Sequence, residues 1–482
     1  MTTHSEHTDP LHPDAEAATR SGAPITLASP SRYRDALPAE VDVAVIGGGV
    51  IGVFAALELA RSGRSVLVLE KGRIAGEQSS RNWGWVRQQG RHRSELPIMM
   101  EAVARWAALD EEAHGRTGFQ RTGTCVLARD EAEMERLSSW IATARAHGLA
   151  TRMFGREEAA RLVAGAKPGL WIGGIVTESD ARAEPSVAVP VAAALAHEHG
   201  VTIRESCAVR ALEVTNGRVV GVLTEDGPVR AGSTILAGGA WSSLLARAHG
   251  LSMPQLSVSA TVARTAPLPE LYRGNASDDV LAFRRRADGG YSLAVRDRNE
   301  HSIGPDSFRH LKAFAPTYLA TRGAVRLRLR GPRGLSAGPD GWRTPRRWAA
   351  DEPSPFESVR VADPAPSEAL VAEMREAFAE RFPHIGRPAI TGAWGGMIDT
   401  MPDELPVLDL APRLAGLVVA TGMSGHGFGI GPGMGAAAAR LATDAVPAHD
   451  LAPFSLKRFA KGAPRARSEG ALTSPRPSRA RA

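Results

Sequence analysis

Three stretches of the chain carry residue types whose spacing suits particular chemistry. Gly47-Gly48-Gly49-Val50-Ile51-Gly52 satisfies G-x-G-x-x-G. It stands between an apolar run at 41–46, read as a buried strand, and a helical pattern at 49–61, and Glu70 closes the next apolar run at 65–69. This is the context a dinucleotide fingerprint requires. Gly47 permits the tight turn, Gly49 lets the backbone approach a pyrophosphate, and Gly52 lets helix and strand pack closely. The amides of Val50 and Ile51 open the helix, where free N–H groups and the helix dipole attract phosphate. Glu70, with Lys71 beside it, stands at the ribose end. An acid there accepts hydrogen bonds from ribose hydroxyls and disfavours a 2′-phosphate, which argues against NADP. The unit alone does not choose between FAD and NAD.

The second stretch, Ser79-Ser80-Arg81-Asn82-Trp83-Gly84-Trp85-Val86-Arg87, offers small hydroxyls to phosphate oxygens and room for a flat ring. Late in the chain, Gly422-Met423-Ser424-Gly425-His426-Gly427-Phe428-Gly429 runs towards an alanine-rich helix expected at 436–445. It looks built to rejoin the nucleotide fold, and the N-terminus of a helix there would favour negative charge. The third candidate is Arg284-Arg285-Arg286 before the turn Asp288-Gly289-Gly290-Tyr291. A planar guanidinium matches a carboxylate, and strand alternation puts Arg284 and Arg286 on one face. That face either meets a substrate or is a solvated strand face; Tyr291 could add a hydroxyl. Arg87 has a functional reading beside the ring and a structural one. His426 could touch the ring, act on a substrate nitrogen, or simply hold its loop. Trp83, Trp85 and Trp394 either line an aromatic cavity or fill core.

These residues need a scaffold. Helical patterns recur at 96–114, 130–146, 184–199 and 367–382. Strand patterns recur at 201–204, 208–214, 218–224, 233–237, 280–295, 405–408 and 417–420, and Asn216-Gly217 marks a hairpin. The stretch 303–365 reads as irregular, and 325–330 as a strand with one charged face. Alternating strands and helices at the start predict a parallel sheet, and the central hairpins a second, antiparallel one. The 482 residues, 43% hydrophobic and 23% charged, suit an ordinary globular protein with a sizeable core. The formal charge of +6 is concentrated in the last segment, where Lys461, Arg465, Arg467, Arg476, Arg479 and Arg481 face only Glu469. It is read as a solvated tail, not a nucleic-acid site. Cys125 and Cys207 give neither a disulfide framework nor metal spacing, and no Ser/His/Asp arrangement suggests a hydrolase. No apolar run reaches membrane-spanning length, and the polar start lacks a secretory pattern, so a cytoplasmic protein is expected.

From Val41 to Arg87 the sequence resembles the D-amino-acid oxidase-like flavoproteins, which include glycine oxidase, sarcosine oxidase and D-amino-acid dehydrogenase. The resemblance continues in order. Asp180 to Pro185 and Gly200-Val201 are similar to the second FAD-contacting section. Leu236-Ala237-Gly238-Gly239-Ala240-Trp241-Ser242 is similar to the strand end near the pyrophosphate. Met401-Pro402-Asp403-Glu404-Leu405-Pro406-Val407 is similar to a "TPDxxPxI" section, with Met401 replacing threonine. The loop from Gly422 closes the set. The resemblance implies FAD, with a Val209 backbone contact to adenine and Gly238, Gly239 and Trp241 near the pyrophosphate. It also implies oxidation of the C–N bond of an amino acid or secondary amine by hydride transfer to flavin N5, giving an imine. Oxygen or another redox partner then takes the electrons. In relatives the strand at 284–286 lines the substrate pocket. Some relatives attach flavin through a C-terminal cysteine or a histidine just after the first βαβ unit. This chain has no cysteine after Cys207 and no histidine in 81–89, so noncovalent FAD is expected. No lysine falls in a motif placed at N5. A hydroxy-acid or opine-like dehydrogenase and a non-catalytic flavin-binding subunit are the alternatives. The expected fold is α/β, a FAD-binding Rossmann-type (glutathione-reductase-like) domain interleaved with an α+β substrate domain whose mixed sheet is mainly antiparallel. The expected division is a disordered arm at 1–39, a FAD domain at 40–100, 170–258 and 390–458, a substrate domain at 101–169 and 259–389, and a basic tail at 459–482. The active site is expected between the domains, on the flavin face turned away from the nucleotide domain.

Overall fold

The computed structural model describes residues 23–320, 324–329 and 338–460. Val41, Val43, Ala44, Val45 and Ile46 are buried on both faces of the strand Glu40–Ile46, which lies parallel between Val66–Leu69 and Gly227–Leu236. Parallel pairing extends to Thr202–Arg204 on one side and Leu417–Thr421 on the other. Continuous apolar strands of this kind need helices over them. The helices Val50–Arg61, Pro185–Glu198 and Gly427–Ala442 supply that cover through one shared core. The strands Val209–Thr215 and Arg218–Thr224 add an antiparallel extension. Their turn is Asn216-Gly217, with φ of +51° and +75°, the geometry that makes this dipeptide a hairpin signal.

A second, ten-stranded sheet is mixed and mainly antiparallel. At its centre Leu256–Thr265 pairs along its whole length with Ile390–Thr400, and the hairpin Leu281–Arg285/Tyr291–Val295 lies alongside. The architecture is thus the expected one: a parallel nucleotide sheet and a mainly antiparallel second sheet. A small third sheet joins Trp85–Val86, Ala181–Arg182 and Gln120–Arg121.

Several expectations about elements need correction. Strands Gly173–Thr177 and Ile390–Thr400, expected with the nucleotide domain, belong to the ten-stranded sheet. Residues 23–39 are not an unattached arm. Tyr33 is buried, the Glu205 carboxylate accepts from Arg32 N (2.7 Å) and Ile74 N (2.7 Å), and Ser80 Oγ accepts from Ile25 N (3.1 Å). The pattern at 130–146 divides at Trp140, whose amide bonds Leu137 O and whose indole reaches inward to Arg91 O. The last helix starts at Gly427, nine residues before its alanine run, and holds Pro432 inside it. Low propensity there is overridden by close packing: a Cβ on Gly435 would stand 2.7 Å from that of Phe54. The 303–365 stretch contains the short helices Pro305–Arg309, Leu311–Ala320 and Pro355–Ser358 and the strand Val325–Arg328. Phe459, assigned to the tail, ends the 3-10 turn Leu456–Phe459 against the core. The cations from Lys461 onward lie outside the described residues, as do 1–22.

Candidate active site

The bend after Glu40–Ile46 opens one long cavity of about 410 Å3 that runs to the ten-stranded sheet. Gly47 turns at φ +112°, and a Cβ on it would lie 2.4 Å from Ala237 O. A Cβ on Gly52 would lie 2.0 Å from Gly47 O, so the helix can approach the strand only without one. Gly49 N-caps Val50–Arg61 without a side-chain cap, and the Val50 amide donates to Ser79 Oγ (2.9 Å). Gly49, Val50 and Ile51 line the cavity. Glu70 accepts from Gly48 N (2.8 Å) and Gly72 N (2.7 Å) and also lines it. Burial raises its carboxyl to about 7, against the pull of Lys71 and those amides. Lys71 bonds Glu77 (2.6 Å) and lies 4.5 Å over the Trp241 ring. Val209, Gly238, Gly239 and Trp241 complete this end.

At the far end, the helix Gly427–Ala442 points its N-terminus at the cavity, and Gly425, His426, Gly427, Phe428 and Gly429 line it. The first amides of a helix have no partner within it, so this end, like Val50–Arg61, is built for electron-rich oxygens.

Between these ends the expected residues separate. Ser79, Arg81 and Asn82 line the cavity; Ser80 does not, and its hydroxyl faces Ile25. The Arg81 guanidinium is held by Asp363, Gly395 O and Ile25 O, and the Asn82 amide by its own turn. Trp83 and Trp85 line the cavity with ring centroids 5.4 Å apart. Trp394 does not line it; its indole donates to Arg81 O.

The arginine strand behaves differently from its expectation. Arg284, 2% exposed, grips both oxygens of Glu184 (2.8 and 3.0 Å) and donates to Trp83 O (2.6 Å). Arg286 is tied to Asp288, Tyr291 O and Thr265 O. The Tyr291 hydroxyl accepts from Leu271 N (2.8 Å) and donates to Tyr272 O (3.2 Å) in the core. None of the three lines the cavity. Neither expected reading of that strand face describes it: it is buried and its charges are neutralised internally.

Five cations line the cavity: Lys71, Arg81 and Arg298 contact Glu77, Asp363 and Glu373 respectively, whereas Arg87 and Arg91 make no ion pair among the described residues. The three-stranded sheet fixes Trp85–Val86, and buried Asp180 then accepts from Gln88 N (2.7 Å) and Gln89 N (3.3 Å), clamping the chain after it. Arg87 donates to Gln89 O (2.6 Å), and its guanidinium lies 5.7 Å from the Trp85 ring centre. It has no acidic partner within ion-pair distance. Burial, then Arg91 and Arg296, lower it to about 9. Arg91, 3% exposed, has a buried Nη1 with no hydrogen-bond partner. Buried polar atoms are rarely left so.

Beside them, His426 Nδ1 lies 2.9 Å from Glu95 Oε1. Burial works against the Glu95 charge. The His426 ring, Arg91 and the His92 amide outweigh it and bring the carboxyl down to about 2. Burial, with Arg91, holds His426 below the ordinary histidine range. The ring is therefore neutral at pH 7, donates Nδ1–H to Glu95, and keeps Nε2 as an acceptor. Asp297 and Glu404 also line this end. Arg91, Glu95, Asp297 and Glu404 escaped the sequence reading. The only signal was the density of Arg87, Arg91, His92 and Arg93 directly after the tryptophans.

The protein family described as FAD dependent oxidoreductase (DAO) matches residues 42–441. The chain belongs to this family. Its cofactor is FAD, and the cavity fits it: a bend at Gly47 and a helix N-terminus at Gly49, both lining it, an acid at Glu70, and a second helix N-terminus at the other end. The flavoenzyme is similar to the structure of L-amino acid deaminase from Proteus myxofaciens in complex with anthranilate, with 31% identity, TM-score 0.84, and coverage of 91% of this chain and 97% of that one. It is 24% identical to glycine oxidase from Pseudomonas putida over 86% of this chain and 97% of that protein. It is 27% identical to 4-methylaminobutanoate oxidase (formaldehyde-forming) from Paenarthrobacter nicotinovorans, matching 49% of this chain but spanning only 29% of that protein. Among the described residues no helix is long and apolar enough to cross a membrane, and no group of three or more His, Cys, Asp or Glu could hold a metal.

Proposed function

We propose that this flavoenzyme oxidises the C–N bond of an α-amino acid, primary or N-alkylated, whose carboxylate is held by Arg87 and Arg91. The observation that carries the reading is two cavity-lining guanidinium groups that make no ion pair with an acid among the described residues, one with a buried nitrogen lacking any partner. A ligand carboxylate supplies what both lack. The names of relatives agree: an amino acid deaminase whose structure holds anthranilate, an amine beside a carboxylate, and a glycine oxidase.

FAD, when bound, would supply the acceptor for a hydride from the carbon next to nitrogen, so that the substrate is released as an imine for water to hydrolyse. The chain supplies placement and electrostatics. Asp180 fixes the Arg87 segment, Trp83 and Trp85 wall the space beside it, and neutral His426 offers Nε2 to a proton on the substrate nitrogen. That nitrogen must be neutral for the hydride to leave its neighbour. The first-turn amides of Gly427–Ala442, which line the cavity, would favour negative charge on a cofactor held there. FAD is held noncovalently: Cys125 and Cys207 are buried away from the cavity, and the lining histidine is bonded to Glu95.

Anaerobic mixing of the FAD-loaded protein with D- and L-amino acids, N-methyl amino acids, simple amines and 2-hydroxy acids tests the reading. Bleaching of the flavin by amino acids is expected. Bleaching by hydroxy acids alone, or by amines lacking a carboxylate as fast as by amino acids, would sink it. Flavin colour should separate from the denatured chain on gel filtration; colour that stays with the polypeptide would refute noncovalent binding.

A further inference from the structure

The cavity carries a second, opposite set of charges. Asp297 reaches it from the turn between Tyr291–Val295 and Asn299–Ser302, and Glu404 from the turn before Val407–Leu410. These turns belong to different sheets and meet at one end of the cavity. The Glu404 carboxyl has no hydrogen bond and no ion pair among the described residues. The charged groups that act on it are acids, Asp297, Glu95 and Asp403; Arg298, which also lines the cavity, lies 3.9 Å from Glu373. Asp403 is engaged by Arg458 (2.7 Å) and Glu95 by His426 (2.9 Å). Asp297 has a long contact, 3.7 Å, with Arg296. Burial, then Asp297, raises Glu404 to about 7, as expected of an acid waiting for a counter-charge. Both residues sit in the left-handed region, φ +60° for Glu404 and +54° for Asp297. That conformation is unusual for glutamate.

An amino acid bound only through Arg87 and Arg91 would leave Glu404 unmatched. Independently of the acids, the partnerless Arg91 Nη1 in the same cavity calls for an anion. Together they describe a ligand with an anion at one end and a cation beyond it.

We propose that Glu404, assisted by Asp297, forms a subsite for a positively charged side chain, so that the preferred substrates are basic α-amino acids rather than apolar ones. This rests on the amino-acid reading of Arg87 and Arg91 above.

The test is anaerobic flavin reduction of the full, FAD-loaded chain by lysine, ornithine and arginine against norleucine, which matches lysine in length without its charge, and against glutamate. Lysine should exceed norleucine in reduction rate over Kd by roughly 10-fold or more, with glutamate weakest. Glu404→Gln should collapse the lysine-to-norleucine ratio. Asp297→Asn, which keeps a residue tolerant of positive φ, should lower it less and guards against a Glu404 variant that loses its flavin. Norleucine matching lysine in the native protein, or a ratio unchanged in both flavin-loaded variants, overturns the subsite while leaving the amino-acid reading intact. Reduction by no amino acid overturns both.

Discussion

The glycine bend at Gly47 and the arginine strand at Arg284 were both marked by sequence as sites, and they contrast instructively. At the bend, recognition is done by backbone. The cradle exists because atoms are missing, and its geometry follows from a strand, a turn and a helix adjacent in sequence. At Leu281–Arg285, recognition would need a side-chain charge left free, and freedom of charge is decided by partners far along the chain. Glu184, one hundred residues upstream of Arg284, takes both of its terminal nitrogens. A local backbone motif can be read forwards from sequence; an available charge is what remains after every other charge has chosen a partner.

The sharpest way to break this contrast is at the bend. Gly47→Val places a Cβ 2.4 Å from Ala237 O at φ +112°, and neither the turn nor the sheet can yield cheaply. Purified Gly47→Val should retain no flavin, and FAD titration should show affinity lower by at least about 100-fold, equivalent to about 2.7 kcal/mol. Ordinary flavin absorbance would show that the cradle is not where the pyrophosphate lies.

The two arginines come next. Arg284→Ala leaves the buried Glu184 carboxylate with only the longer Arg182 contact (3.3 Å) and the Ala287 amide (2.9 Å), so burial would push it up. Removing one partner of a buried pair costs about 3–5 kcal/mol, so thermal unfolding should shift down by many degrees. Arg87→Ala removes a half-buried cation that has no acid beside it. It should leave the unfolding midpoint nearly unchanged and raise KM for an amino acid roughly 10- to 100-fold, the worth of a charged hydrogen bond of about 1.5–3 kcal/mol. If the two variants exchange phenotypes, the assignment of structural and substrate-facing arginines is reversed.

The acid subsite gives a pH signature of the same free charge. Glu404, with Asp297, Glu95 and Asp403 around it, is raised to about 7. Below that pH it is neutral and cannot attract a cation; above it the carboxylate forms. The lysine-to-norleucine ratio should therefore rise between pH 6 and 8, by several-fold, and flatten in Glu404→Gln. Using a ratio cancels most of the amine deprotonation that both substrates share. A ratio that falls with pH has the wrong sign for a carboxylate.

What was legible in the chain follows the same division. The parallel strands, the Asn216-Gly217 hairpin, the phosphate bend and the glycine loop before Phe428 all rest on contiguous residues. The reach of the last helix back to Gly427 was hidden because glycine and Pro432 disfavour helix locally, and only packing on Phe54 and Val50 reverses that. Residues 23–39 looked unstructured because their anchors, Glu205 and Ser80, lie elsewhere in sequence. Arg91 was passed over for a related reason: a guanidinium nitrogen left without a partner leaves no mark in sequence. Glu404 was quoted inside a family-like motif, yet nothing in that motif says that Asp403 turns to Arg458 while its neighbour turns to the cavity.

The smallest effect tests the quiet half of the contrast. Tyr291 was a candidate for the substrate pocket, but its hydroxyl accepts from Leu271 N and donates to Tyr272 O inside the second sheet's core. Tyr291→Phe keeps the ring against Phe283 and leaves those backbone groups without their partner. That should cost about 1–2 kcal/mol of stability while flavin reduction per bound FAD stays within about twofold. Loss of reduction rate at unchanged stability would move this strand back into the active site and reopen the place of Arg284, since the two residues share one hairpin and cannot be displaced separately.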